Sequence, residues 1–424
     1  MLRIHDELFE LSDPGLATAL ASVYGTKVRP VCICRTGGVE MYIAKISGKY
    51  AVKRMPNTGP DHAPDCDSYE PPAELSGLGQ LVGNAIDEDA EEGLTTLKLG
   101  FSLTKVAGKS APSPGTSEKD SVKTDGNKLT LRGTLHYLWE QAGFNRRSPA
   151  MEGKRSWAVV RKYLLLAAEN KMAKGGALLE RLYVPEPFTA DKKAEIAQRR
   201  MARLAKASAP AGATRQLMIV VGEVAEIGKA RFGFKIRFKH VPDCDFMMNE
   251  DLHTRLQKRF ATEIELWNSN SANGVHLMAI ATVGVGHTGV PSFEEIALMA
   301  VSPGWVPFES QFELMLLNTL GEKKRRYVKG LRYNLASTSP LATLVLSDTE
   351  PDPTALYVVP FGASEDYLQE LDQLIENSKL PSWKWEPGTA ELPAFPSAAA
   401  PKPYRKQPAP SEPNQAGESL PAIS

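Results

Sequence analysis

Apolar and polar positions alternate with a period of two across residues 28–55. RPVCICR, VEMYIAKI and KYAVKRM each gather apolar side chains on one face, with TGG and SGK between them as turns. That pattern predicts a β-meander. LTTLKLGFSLTK alternates as well and predicts a further strand. From residue 128 the period becomes helical. Leu131, Leu135, Leu138, Trp139 and Ala142 recur at helix spacing, and Gly143 stands where a C-terminal cap belongs. SWAVVRKYLLLAAEN puts Trp157, Val160, Leu164 and Ala167 on one face, with Arg161 and Lys162 off that stripe. GGALLERLYVPEPF reads as a turn, a short helix and an extended end. Helix, loop, helix and strand in that order are compatible with a winged-helix-like unit. Residues 189–207 predict another helix, with Lys192, Lys193, Arg199, Arg200 and Arg203 on its polar side.

The second half mixes both periods. RQLMIVVGEVAEI and ARFGFKIRFKH predict a hairpin around Gly228. Phe232, Phe234, Ile236 and Phe238 then face one way, and Arg231, Lys235, Arg237 and Lys239 lie on or near the other face. EDLHTRLQKRFATEIELW predicts an amphipathic helix and GVHLMAIATVGV a buried strand. Residues 308–379 predict helix, three strands and helix. The expected class is α+β and multidomain. The expected units are a zinc-ribbon-like β module at 1–105, a basic helical unit at 128–207, an α+β unit at 215–303 and an α/β unit at 304–384. Residues 106–127, rich in Ser, Gly, Pro and Lys, predict a flexible linker, and 385–424 predict a disordered Pro-rich tail.

Composition changes this picture in two ways. First, the chain of 46.3 kDa has ordinary apolar and charged content. Its N-terminus, MLRIHDELFEL, has no secretory pattern, and its apolar runs are too short to span a bilayer. A cytoplasmic address with no membrane partner is expected. There, clustered cysteines favour a metal over a disulfide. Second, the net charge of zero is a cancellation. Residues 56–97 hold no Lys or Arg, whereas 128–206 carry seventeen Lys or Arg against seven acids. Such a positive segment predicts an anionic partner, nucleic acid first. Docking of the acidic segment on the basic one is the competing reading.

The strongest chemical signal is a set of four residues. Cys32 and Cys34 form a Cys-x-Cys pair, and His62 and Cys66 form a His-x3-Cys pair in the loop NTGPDHAPDCDSYEPP. Two close pairs of sulfur and nitrogen donors suit tetrahedral zinc, and four protein ligands leave no water position, so the expected role is structural. Cys244 stands alone and predicts an ordinary partly buried thiol. SGLGQLVGNAI lacks the strand and spacing of a phosphate loop. No Ser-His-Asp order or HExxH is present, and His253, His276 and His287 are scattered.

The last unit has an element order like that of PD-(D/E)xK nucleases, which hold magnesium on acids. Glu309, Glu313 and Asp348 are the available acids, but ALYVVPF carries neither acid nor lysine where both are needed. The likeness is to the scaffold. GEKKRRYVKGLRYN gathers six basic residues with Tyr327 and Tyr333. It could grip phosphates and stack a base, or be a solvated turn leading into an edge strand.

The phrases CICRTGG, KRMPNTGPDHAPDC, SGLGQL, LRGTLHYLWEQAGFNR, GKRSWAVVRKYL, RLYVPEPF, VKGLRYN, VLSDT and WKW occur together. In these the chain resembles a bacterial family of uncharacterised proteins, the domain-of-unknown-function family eleven seventy-three. That family is often carried on plasmids and integrative elements. The resemblance implies genomic company with DNA-transfer genes and brings no catalytic residues with it.

The leading expectation is a structural zinc protein that binds nucleic acid, DNA first, or DNA-processing proteins of a mobile element, with no established reaction. Cys32, Cys34, His62 and Cys66 hold the zinc; Arg146, Arg147, Lys154, Arg155, Arg161, Lys162, Lys323, Lys324, Arg325 and Arg326 are the candidate phosphate contacts. The alternatives are a magnesium-dependent nuclease using Glu309 or Glu313 with Asp348, and an adaptor that binds proteins through its acidic segment and tail.

Overall fold

The computed structural model describes residues 1–105, 126–208, 213–286 and 289–399. The expected linker falls almost wholly outside them, as do His287 and the tail beyond residue 399. The molecule is α+β, built on several sheets with helices packed between them.

The predicted meander is present. Val31–Cys32, Val39–Ile46 and Lys49–Arg54 pair antiparallel, and Leu2–Ile4 and Glu7–Phe9 extend the same sheet. The helix Leu16–Val23 covers it, and Leu2, Ile4, Leu20, Val23, Met41 and Ile43 form its own small core.

Beyond this sheet, the segments expected as separate units interleave. Ile86–Asp89 and Leu94–Leu97, expected in the first module, share a sheet with Lys171–Ala173 and Gly176–Ala177. Within the segment expected to be winged-helix-like, Arg146–Arg147 pairs with Tyr327–Lys329 of the C-terminal sheet. Leu182–Tyr183 pairs with Met218–Lys229 of the central sheet. One core of buried residues consequently runs from Leu81 to Tyr333. Periodicity reports which face of an element is apolar, but it does not name the partner that covers that face.

In the central sheet, Met218–Lys229, Phe234–Phe238, Asp245–Met248, Pro291–Val301 and His276–Val285 follow one another. Met218–Lys229 also pairs with His276–Val285, so the five strands close on themselves. Closure removes the exposed edges of Met218–Lys229 and His276–Val285. Ile236 and Phe238 face inward as expected, but Phe232 lies outside the strand and is 78% exposed. Arg237 and Lys235 on the outer face bind Asp245. That is a solvated, self-neutralised face.

The C-terminal sheet runs Ser382–Trp385, Thr354–Val358, Leu344–Leu346, Tyr327–Lys329 and Arg146–Arg147. Helices Gln311–Glu322 and Glu365–Asn377 flank it in sequence, and Ser310 and Ser364 cap their first turns. Residues 386–399, assigned to the tail by composition, pack back onto this sheet. Trp383 Nε1 donates to the Ala394 carbonyl, Trp385 Nε1 to the Ala390 carbonyl, and Phe395 stacks on Trp383. Two indoles that need acceptors order the start of a Pro-rich segment.

Candidate metal centre and basic edge

The two halves of the Cys/His set come from different local structures. Cys32 ends a strand and Cys34 lies two residues on, while His62 follows the single turn Gly59–Asp61. Cys66 lies in the turn after it, with its N–H on the Ala63 carbonyl. Folding brings all four donors together. Cys32 Sγ lies 3.7 Å from Cys66 Sγ, and His62 Nδ1 lies 3.4 Å from Cys34 Sγ and 3.8 Å from Cys66 Sγ. All four donor atoms lie within 4.8 Å of one another, and among the described residues this is the one such group of His, Cys, Asp or Glu. The set is compatible with a bound metal ion.

Local electrostatics suit that use. Ala63 N–H donates to Cys34 Sγ and Ser68 N–H to Cys66 Sγ, and such bonds favour sulfur with negative charge. The contact with Cys66 holds the Cys32 thiol below its ordinary value, while the same contact and burial push Cys66 up. Burial first, then the Arg54 guanidinium, keep His62 neutral and able to coordinate. His62 is fully buried, and its Nε2 has no hydrogen-bond partner among the described residues. Orphaning that nitrogen costs about 1–3 kcal/mol.

The same loop meets two basic segments. Arg146 donates to the Asp67 carbonyl at 3.1 Å and pairs with Glu70, which also holds Arg54. Arg326 donates to the Asp65 carbonyl at 3.3 Å. Strand pairing sets Arg147 opposite Tyr327, and the Arg147 guanidinium lies over Gly321 in the last turn of Gln311–Glu322. Segments 146–155 and 323–326, far apart in the chain, thus meet along one edge beside the Cys/His loop.

Many of the expected phosphate contacts are engaged within the chain. Arg147 pairs with Glu152, and Arg161 donates to the Val184 carbonyl. Arg155 spends its donors on the carbonyls of Gly143, Phe144, Arg146 and Gly304. Arg325 is buried, bound to Asp348 and to the Pro396 carbonyl. Lys154, Lys162, Lys323 and Lys324 stay exposed, without an ion pair to any described residue. Tyr327 and Tyr333 are 2% and 0% exposed, which corrects the idea that they stack a base. Tyr327–Lys329 is paired on both sides, so it is not an edge strand.

Glu309 and Glu313 are neighbours, the Glu309 N–H donating to Glu313 Oε2 at 2.8 Å, and each candidate nuclease acid is engaged by a basic side chain. Glu309 binds Arg332, Glu313 lies 3.4 Å from Lys329, and Asp348 binds Arg325. His253 stacks on Phe234, and His276 Nδ1 bonds Glu223 at 2.7 Å while its ring stacks on Trp305. The glycine-rich turn serves packing. A Cβ at Gly77 would overlap the Arg332 carbonyl, and Gly77 N–H donates to the Leu331 carbonyl.

Sequence reasoning missed a buried network on the other side of Glu70. Glu140 accepts the Tyr333 hydroxyl at 2.8 Å. Burial, then the Glu70 carboxylate, push Glu140 up to about 7. Lys171 donates to Thr95 and is brought down to about 7, first by burial and then by Lys53. Glu140 and Tyr333 stand 193 positions apart, so no local spacing could have paired them.

The family described as protein of unknown function, DUF1173, matches residues 2–388. The chain belongs to that family. No curated protein and no solved structure matches it. The DUF1173 match covers both the Cys/His loop and the basic edge. No helix among the described residues is long and apolar enough to cross a membrane.

Proposed function

We propose that this DUF1173 protein is a structural zinc protein that binds nucleic acid, DNA first, along the edge where its two basic segments meet. Zinc is bound by sulfur at about 2.3 Å and by nitrogen at about 2.0–2.1 Å, so a zinc tetrahedron has edges of about 3.5–3.8 Å. Three of the six donor separations, 3.4, 3.7 and 3.8 Å, lie near those edges, and all six are within 4.8 Å. Four protein ligands close the shell, so the ion orders the loop 62–70 and activates no water. That loop supplies carbonyls to Arg146 and Arg326, which couples the metal to the basic edge.

The observation that carries the nucleic-acid reading is the pairing of Arg146–Arg147 with Tyr327–Val328. It brings exposed Lys323 and Lys324 to the same edge as the 146–155 segment. Arg155 and Arg325 act inside the fold and are left out of the contact set. Two measurements test the reading. Elemental analysis of the purified chain is expected to give one zinc per molecule. Anisotropy titrations with duplex and single-stranded DNA are expected to show affinity that falls with salt. Lys323→Gln with Lys324→Gln should reduce the duplex salt slope by about 2. Absence of DNA and RNA binding by zinc-loaded protein at low salt rejects the nucleic-acid reading and leaves the zinc assignment standing.

A further inference from the structure

A cavity lies at the Lys329 end of the strand Tyr327–Lys329. Arg132, His136, Glu263, Glu309 and Lys329 line a cavity of about 20 Å³, between the helices Leu131–Gln141 and Ala261–Asn270 and the end of Tyr327–Lys329. Its charges are unevenly satisfied. Glu309 is taken by Arg332, and Lys329 donates to the Gly330 carbonyl near Glu313. Arg132 has no ion pair with any described residue. Its Nε donates to the Tyr333 carbonyl at 3.1 Å and one N–H of its Nη2 to the Leu335 carbonyl at 2.6 Å. Three of a guanidinium's five N–H bonds are therefore left. Arg155 shows the contrast, since it spends its donors on four carbonyls.

His136 adds a neutral donor. Its Nδ1 accepts the Tyr333 backbone N–H at 2.9 Å, which fixes the ring proton on Nε2. The ring is 4% exposed and stays uncharged, since burial first, then Arg132, bring it down to about 3. Tyr333 sets both donors at once. It is a fully buried aromatic at φ +50°, a conformation bulky residues rarely adopt. In that conformation its N–H meets His136 and its carbonyl meets Arg132. Across the cavity, the half-buried Glu263 carboxyl has no hydrogen bond to another side chain, and burial raises it above the ordinary carboxyl range.

We propose that Arg132, His136 and Glu263 form a binding site for a phosphate-class oxyanion. Ionised oxygens accept from Arg132 and His136, and one proton is shared between Glu263 and a further phosphate oxygen. A cavity of this volume takes about one oxygen, and the rest of the anion sits in its mouth. None of its three proposed ligand residues belongs to the proposed DNA-contact set or to the Cys/His set.

The test uses full-length, metal-loaded protein and calorimetric titration with inorganic phosphate and with sulfate, which carries no proton to share. Phosphate is expected to bind saturably at one site and more tightly than sulfate. Arg132→Gln should weaken phosphate at least tenfold, and Glu263→Gln should narrow the preference for phosphate over sulfate. Where Arg132→Gln fails to fold, Glu263→Gln decides, because that side chain makes no hydrogen bond or ion pair to another described side chain. Saturable binding of neither anion by the wild type, or an unchanged preference in Glu263→Gln, overturns the assignment. Competition by a 5′-phosphorylated oligonucleotide but not its 5′-hydroxyl form marks a nucleic-acid end as the source. Competition by neither marks free phosphate.

Discussion

Cys34 and Cys66 meet from opposite sides of a thirty-residue loop, so on the proposed zinc reading the loss of either removes one of four ligands. Cys34→Ser and Cys66→Ser are each expected to lose most of the bound zinc in elemental analysis. Cys244→Ser, half-buried in another part of the chain, should keep the full complement. A structural zinc site contributes on the order of 10 kcal/mol to the folding of its module. Chelation should therefore lower the melting temperature of the wild type and leave Cys34→Ser nearly unmoved. Glu140 makes a prediction of the opposite kind. Its carboxyl sits at about 7 in the folded chain against an ordinary 4.5. Between those values the folded protein holds a proton that the unfolded chain has released, so stability falls as pH rises through the window. Glu140→Gln keeps an oxygen for the Tyr333 hydroxyl and removes the charge. It should raise stability at pH 8 by up to about 3 kcal/mol and have little effect near pH 4. Equal effects at both pH values in urea titrations would contradict the assignment. The four residues of the Cys/His set were legible in the sequence because both pairs are local. Glu140 was not, because its environment is made by Glu70 and Tyr333 from distant segments.

The helix Leu131–Gln141 illustrates the scale above. Its apolar spacing and its end at Gly143, with φ +74°, were readable from the chain. Its start is held in a way that was not. Thr130 Oγ1 accepts the Gly133 N–H at 3.0 Å and donates to Asn334 Oδ1 at 2.9 Å, and Asn334 also accepts the Thr130 N–H. One N-cap thus ties the helix to a segment two hundred residues on. Thr130→Ala should cost about 1–2 kcal/mol for the cap and more for the loss at Asn334. A double-mutant cycle with Asn334→Ala should show coupling of at least about 0.5 kcal/mol. Strictly additive effects would mean that the cap acts alone.

At the scale of the molecule, the core from Leu81 to Tyr333 carries the main consequence. A fragment of residues 128–207 leaves Arg146–Arg147 without Tyr327–Lys329, and Leu182–Tyr183 without Met218–Lys229. Its apolar faces, including Trp139 and Trp157, lose Trp305. Such a fragment should show no cooperative thermal transition by circular dichroism, whereas the full chain melts cooperatively through this core. A well-folded fragment would show that the segment's own contacts suffice. The same interleaving sets two arginines against the acidic segment. Arg146 pairs with Glu70 and donates to the Asp67 carbonyl, and Arg326 donates to the Asp65 carbonyl, while Lys154, Lys162, Lys323 and Lys324 stay exposed.

The sequence by itself determined the α+β class, the meander, the helices with clean apolar stripes and the four donors of the metal set. Each of these rests on residues close enough in the chain for spacing to specify geometry. The tertiary structure alone decided which strands share a sheet and which arginines turn inward. It also decided that Tyr333 is strained and buried, and that Arg132 and His136 open onto a cavity. Those outcomes depend on contacts between segments hundreds of positions apart, where the covering partner of an apolar face or a charged group is set by packing and not by local pattern.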